Sequence, residues 1–212
     1  MEPIIKEIYQ NILDGQHNQI AAKVQLALEN GITPKVILEE GMIASMAEVG
    51  RLFEAGEFYV PEMLISARAM QAGLAVLKPH LKETNVQAAG KIAIGTVKGD
   101  LHDIGKNLVA MIFEGAGFEV LDLGTDVPAE KFVAAADGVD VIALSGLLTT
   151  TIPAMKTIIE KLQAAGKRDK VKVIVGGAPV TETFAYQIGA DGYAPNASRA
   201  VTMTKALLES SK

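Results

Sequence analysis

The chain contains no cysteine, which excludes disulfides, thiolate metal sites and a cysteine nucleophile. Aromatics are scarce, four tyrosines and six phenylalanines, and they are unevenly placed. Basic residues are outnumbered, 20 against 25 acidic ones, for a formal net charge of −5, and no Lys/Arg cluster stands out. No nucleic-acid partner is therefore expected. No apolar run approaches the roughly 18 residues that a bilayer requires, so no membrane span is expected. Met1-Glu2-Pro3-Ile4-Ile5-Lys6-Glu7 lacks a basic segment followed by an apolar core, so no secretory signal is expected and the expected compartment is cytoplasmic. What is present is a chain of 212 residues, 49% hydrophobic and 21% charged. That balance suits a globular protein of one large domain or two modest ones.

Residues 1–82 read as helices. Ile4, Ile5, Ile8 and Ile12 recur at helical spacing, and Asp14-Gly15 ends that segment. Ile20, Val24, Ala27 and Leu28 mark a second helix that stops at Asn30-Gly31. Thr33 caps a third, with Pro34 at its first position and Leu38, Met42, Met46, Val49 and Phe53 on one face. A fourth runs from about Pro61 to Leu81. Four antiparallel helices with short connections make an all-α four-helix bundle, and the methionines read as core filler. The connection Phe53-Glu54-Ala55-Gly56-Glu57-Phe58-Tyr59-Val60-Pro61 gathers three of the aromatics. An apolar bundle tip suggests a surface covered by something else, or rings that fold back into the bundle.

Residues 83–90 lose the periodicity and read as a linker. From 91 to 212 strands and helices alternate. Strands are expected at Ile92–Val97, Glu119–Leu123, Val139–Ser145, Val171–Val175 and Gly192–Ala194. Helices are expected at Ile104–Gly115, Pro128–Ala136, Ile152–Ala165, Glu182–Ile188 and Ala197–Leu208. Five such units imply an α/β domain with a five-stranded parallel sheet and right-handed crossovers, Rossmann-like in its flavodoxin-like order 2-1-3-4-5.

In that order the chain reverses direction between strands 1 and 3, opening a crevice at their carboxyl ends. Three marked segments fall there. Val97-Lys98-Gly99-Asp100-Leu101-His102-Asp103-Ile104-Gly105-Lys106-Asn107 links strand 1 to its helix, Ser145-Gly146-Leu147 ends strand 3 and leads to Thr149-Thr150-Thr151, and Gly176-Gly177-Ala178 follows strand 4. The glycines let a flat or bulky group approach the backbone, and the Ser145 hydroxyl suits a hydrogen bond to a heterocycle. A lone loop histidine is usually solvent-exposed or structural. Asp100 alters that reading for His102, because a metal-bound imidazole passes its other ring N–H to a carboxylate. Asp103 reads as the cap of the helix that starts near Ile104, and Gly105 keeps its entrance free of side chain.

Gly99-Asp100-Leu101-His102-Asp103-Ile104-Gly105-Lys106-Asn107, Ser145-Gly146-Leu147 and Val175-Gly176-Gly177-Ala178 resemble the signature of cobalamin-binding domains. The similarity is to the methyltransferase-associated corrinoid proteins and to the cobalamin module of methionine synthase, and it spans nearly the whole chain. Leu52-Phe53-Glu54-Ala55-Gly56-Glu57 with Val60-Pro61-Glu62-Met63 resembles the helical cap that precedes the cobalamin domain there, with Val60 where methionine synthase has leucine. Gly189-Ala190-Asp191-Gly192-Tyr193 resembles the closing segment of the family.

The resemblance implies a corrinoid bound base-off and His-on. Its nucleotide base would lie beside Ser145, Leu147, Gly176 and Gly177, bordered by Thr149 and Thr151. His102 would be the lower axial ligand to cobalt, with Asp100 as its hydrogen-bond partner and Asp103 and Gly105 in the same loop. Phe53 and Val60 would cover the upper face, with the linker as hinge. It further implies a methyl carrier cycling between methyl-cobalt(III) and cobalt(I), non-catalytic alone. Its partners would be a substrate-specific methyltransferase, a methyl-acceptor methyltransferase of the tetrahydrofolate or coenzyme M type, and a reductive activase. A cobalamin-sensing regulatory module and the cobalamin subunit of a mutase are the alternatives. A flavodoxin-like electron carrier fits poorly, since Asp100 in the first loop would repel phosphate.

Overall fold

The protein is described from a computed structural model that covers residues 2–83 and 88–210. It divides into two compact units, Met1–Ala88 with Glu114–Gly117, and Ala89–Phe113 with Phe118–Lys212. The linker expected over 83–90 includes residues 84–87, which lie outside the described residues.

The first unit is helical: α1 (Pro3–Leu13), α2 (His17–Glu29), α3 (Pro34–Val36), α4 (Ala44–Glu54) and α5 (Val60–Glu83). Thr33 starts α3, its hydroxyl accepting from the Val36 N–H at 3.4 Å. The helix expected over this region differs in its middle, because Ile37–Ile43 is wound as a π-helix between α3 and α4. Gly41 explains why the wider turn packs: a Cβ there would stand 3.0 Å from Ile8 Cγ2 of α1. The core is Ile5, Ile8, Ile12, Ile20, Val24, Met42, Met46, Met63 and Met70, all buried. Two buried hydroxyls tie the helices together, Ser45 donating to the Tyr9 carbonyl at 2.8 Å and Ser66 to that of Leu13 at 3.3 Å.

The second unit is a parallel sheet of β1 (Lys91–Thr96), β2 (Glu119–Asp122), β3 (Val141–Ser145), β4 (Lys172–Gly176) and β5 (Gly192–Ala194). Its order is β2-β1-β3-β4-β5, as expected. The helices are α6 (Ile104–Gly115), α7 (Ala129–Ala135), α8 (Pro153–Ala164), α9 (Glu182–Gln187) and α10 (Ala197–Glu209), with a 3-10 turn at Arg168–Lys170. The central strands are buried along nearly their whole length, which is why they read as continuous apolar runs rather than alternating ones. Phe132 of α7 lies so close to Gly95 that a Cβ there would meet its ring at 2.8 Å.

Register decides what reaches the carboxyl edge. Thr96 pairs with Ser145, and Ser145 with Gly176, so the last residues of β1, β3 and β4 form one row. Each of the three marked segments leaves the sheet from that row.

Candidate functional site

The β1–α6 loop is fixed from its strand outward. Thr96 is buried and its hydroxyl donates to the His102 carbonyl at 2.8 Å. Gly99, at φ 85°, turns the chain, and the Asp100 N–H closes that turn on the Val97 carbonyl at 3.1 Å. Asp100 is 0% exposed, and His102 beside it has 51% of its side chain exposed.

The two oxygens of Asp100 face two loops. Oδ1 accepts the His102 N–H at 3.0 Å and lies 2.7 Å from His102 Nδ1. Oδ2 accepts the N–H groups of Leu147 at 2.7 Å and Leu148 at 3.2 Å, with the Thr151 hydroxyl at 3.0 Å. Burial alone would raise the carboxyl pKa. The hydrogen bonds from Leu147, from the His102 backbone and ring, and from Leu148 together outweigh it and hold the group well below the usual carboxylate range. Asp100 is therefore an anion at neutral pH, and an anion can only accept. Nδ1 is therefore the donor in the 2.7 Å contact, and Nε2 is the ring nitrogen that Asp100 does not engage. The arrangement presents one imidazole nitrogen, in a fixed tautomer, at the carboxyl edge of the sheet.

The opposite wall is made of main chain. Gly146 N–H donates to the Gly176 carbonyl at 3.2 Å. Gly177 has φ 130°, and a Cβ on it would fall 1.9 Å from the Gly146 oxygen, so the loops after β3 and β4 touch backbone to backbone. A Cβ on Gly176 would stand 3.0 Å from the Ala194 oxygen. Ser145 is half-buried, and its hydroxyl has no hydrogen-bond partner among the described residues. The side chains of Leu101, Ile104, Leu147 and Leu148 are exposed, Ile104 to 79%. An apolar rim around a lone nitrogen donor is a surface shaped for an apolar occupant.

The expected site residues do not all occupy comparable positions. Asp100, His102, Ser145, Leu147, Gly176 and Gly177 lie at the carboxyl edge, and Thr149 is exposed beside them. Thr151 is buried under Asp100. Asp103 precedes α6, but its carboxylate accepts from the Asn107 side-chain amide at 3.2 Å rather than capping a backbone N–H; its carbonyl takes the Asn107 N–H at 2.7 Å. Nothing lies within 4 Å of where a Cβ on Gly105 would be. Phe53 and Val60 belong to the helical unit, Phe53 half-buried in the last turn of α4 and Val60 exposed at the start of α5.

Sequence reasoning missed three contributors. Thr96 looked like the end of a strand. Lys106 stands in the quoted loop motif with no role assigned to it, and it is buried against Asp122 and Asn107. Asp126 lies in the β2–α7 loop at φ 51°, and no residue pattern singles it out.

Among the described residues no group of three or more His, Asp or Glu converges to hold a metal ion, and no helix is long and apolar enough to cross a membrane. Two family models, each described as a B12 binding domain, match residues 4–78 and 90–202. The chain is 43% identical over 210 residues to dimethylamine corrinoid protein 1 of Methanosarcina acetivorans, covering 98% of both chains. It is 40% identical to a corrinoid protein of Desulfitobacterium hafniense, covering 97% of each. Among solved structures, the methanol:cobalamin methyltransferase complex of Methanosarcina barkeri superimposes with a TM-score of 0.86 at 29% identity, over 98% of this chain and 80% of that one. A cobalamin-binding protein of Desulfitobacterium hafniense gives 0.79 at 31% identity, over 95% and 97%. A helical unit followed by this sheet, the Asp-x-His-x-x-Gly loop and similarity along almost the entire length agree: the chain belongs to the corrinoid protein family and carries its B12 binding domains.

Proposed function

We propose that this protein is a methyl carrier that holds a corrinoid base-off and His-on, and that it passes methyl groups from a substrate-specific methyltransferase to an acceptor methyltransferase of the tetrahydrofolate or coenzyme M type. The observation that carries this reading is the Asp100–His102 pair at 2.7 Å. It offers one imidazole nitrogen, and among the described residues no group of three or more His, Asp or Glu converges, so a metal held there would bring its remaining donors with it, as a macrocycle does. The glycines beside it support the same group, since Gly146 and Gly177 bring the loops after β3 and β4 into backbone contact with no side chain between them.

The corrinoid supplies a cobalt centre able to accept and release a methyl group. The chain does the rest. His102 Nε2 would ligate the cobalt, with Asp100 accepting from Nδ1, while Thr151 and the Leu147 and Leu148 N–H groups keep Asp100 ionised and fixed. Ser145 offers a hydroxyl to the displaced heterocycle, with Thr149 at the mouth and Gly176-Gly177 admitting it. Asp103 and Gly105 would open α6 beside the cofactor, Gly105 with no side chain, and Phe53 and Val60 would be the residues that shield the methyl group. Residues 1–82 act as cap and 91–212 as the corrinoid domain. A reductive activase restores the protein after oxidation. Because similar relatives are named for dimethylamine and trimethylamine, the donor is assigned to the methylated amines.

The test is His102→Ala, reconstituted with cob(II)alamin and read by EPR. The wild type should show nitrogen superhyperfine splitting that changes on ¹⁵N-histidine labelling, and the variant should lose it. Splitting insensitive to the label would overturn the ligand assignment. Methylated holoprotein should give up its methyl group to an acceptor methyltransferase without light and without a radical signal. Methyl loss only on illumination would favour a sensor, and a radical signal a mutase subunit.

A further inference from the structure

We infer that Asp126 is a positioning residue for the axial histidine, acting through the backbone of Asp100. The inference rests on the assignment of His102 as the ligand.

Asp126 lies on the loop between β2 and α7, outside the segment that carries His102. It grips that segment at two points. Its carboxylate Oδ1 accepts the Gly99 N–H at 2.7 Å, and its own N–H donates to the Asp100 carbonyl at 2.9 Å. The two bonds bracket the Gly99–Asp100 unit, one holding the peptide that enters Gly99 and the other the carbonyl that leaves Asp100. The neighbouring backbone continues the seam: Thr96 N–H donates to the Gly124 carbonyl and Val127 N–H to the Thr96 carbonyl, each at 3.0 Å.

Asp126 is the only non-glycine residue with positive φ among the described residues. A side chain in that region of backbone space costs energy unless it makes a local hydrogen bond, which is why aspartate and asparagine tolerate it best. Here the strained conformation aims both the carboxylate and the N–H at the Gly99–Asp100 unit. The Asp100 side chain has donors from two loops to meet at once, Oδ1 serving His102 and Oδ2 serving Leu147, Leu148 and Thr151. A backbone free to rotate would misalign one set or the other. The contact that fixes the ring proton on Nδ1 is the one most exposed to such drift, because the ring is half in solvent.

Three variants separate the contributions. Asp126→Gly adopts φ 51° freely but has no acceptor. Asp126→Asn keeps both the conformation and an acceptor. Asp126→Ser keeps only a shorter one. The first readout needs no cofactor: ¹⁵N NMR of the His102 ring in the apo-protein, in mildly alkaline buffer, reports the ratio of Nδ1–H to Nε2–H tautomers. With three histidines in the chain, assignment is direct. The glycine variant should lower that ratio by on the order of tenfold, the low end of what losing an outer partner costs a ligating histidine. Its cob(II)alamin form should show a matching rise in the fraction without nitrogen splitting. Asp126→Asn should restore both readouts and Asp126→Ser should fall between. A wild-type ratio in Asp126→Gly, or an asparagine variant as impaired as the glycine one, overturns the inference. Should the glycine variant fail to fold, a wild-type ratio in Asp126→Ser overturns it equally. Failure here leaves the cobalt assignment intact, whereas label-insensitive splitting in the wild type removes that assignment whatever Asp126 does.

Discussion

The ammonium group of Lys106, with 2% of its side chain exposed, rests on the carboxylate of Asp122, which is 45% exposed. Asn107 Oδ1 accepts another of its protons at 2.6 Å. The two partners are unequal, since losing Asp122 strands a buried cation while losing Lys106 leaves an anion that water can reach. Asp122→Ala should therefore cost about 2 kcal/mol, less than a fully buried broken pair because Asp122 is half hydrated. Lys106→Met should cost about 1 kcal/mol or less. Urea denaturation of the apo-protein ranks them, and the opposite order would refute the account.

Asp100 makes stability depend on pH with a definite sign. Its folded-state pKa is depressed, so its contribution is complete above the unfolded carboxylate pKa and is lost as the pH falls from there toward the folded value. Asp100→Ala should cost the apo-protein about 3 kcal/mol near neutrality, where donors from two loops lose an ionised acceptor. The gap between wild type and variant should hold down to about pH 5 and narrow below about pH 4. A gap that widened on acidification would mean the carboxyl is not held ionised.

Two glycines of the site should respond in opposite ways. Gly177→Ala forces a methyl group into the Gly146 carbonyl at 1.9 Å, at a positive φ, and should cost about 3 kcal/mol and abolish corrinoid uptake. Gly105→Ala meets nothing within 4 Å in the first turn of α6, so apo stability should stay level or rise by up to about 1 kcal/mol. Any loss of corrinoid affinity in Gly105→Ala then reports contact with the cofactor itself. Thermal unfolding and equilibrium titration with cobalamin check both.

Phe53→Ala tests the shielding role assigned to the helical unit. It should leave cobalamin uptake near the wild-type level and raise the rate of light-induced methyl loss from the methylated holoprotein. An unaltered photolysis rate would take Phe53 out of the mechanism.

Much of this molecule is legible in its sequence because burial leaves a plain pattern. The central strands β1, β3 and β4 read as apolar runs since both faces are covered, and α6 begins and ends where Ile104 and Gly115 indicate. The π turn at Ile37–Ile43 was not legible, because Leu38, Met42, Met46 and Val49 keep a spacing that an ordinary helix satisfies. Only packing against Ile8 reveals why the coil widens at Gly41. Within the candidate site, the contact between Asp100 and His102 was legible because it depends on residue type and short spacing. The bond from Thr151 to Asp100 was not legible, since it spans 51 positions. Asp126 and Lys106 escaped because what matters in them is a backbone angle and a depth of burial, and neither is written in a residue's name.

The contact between Gly146 and Gly177 has a consequence for how this slot can evolve. Where two loops meet through their peptide groups, the floor they form has no side chains to exchange. Drift elsewhere in the chain can recolour the rim of Leu101, Ile104 and Leu147, but it cannot repaint that floor. A side chain at Gly177 would have to displace the Gly146 carbonyl, so variation near this contact is confined to exposed side chains such as Leu101, Ile104 and Leu147.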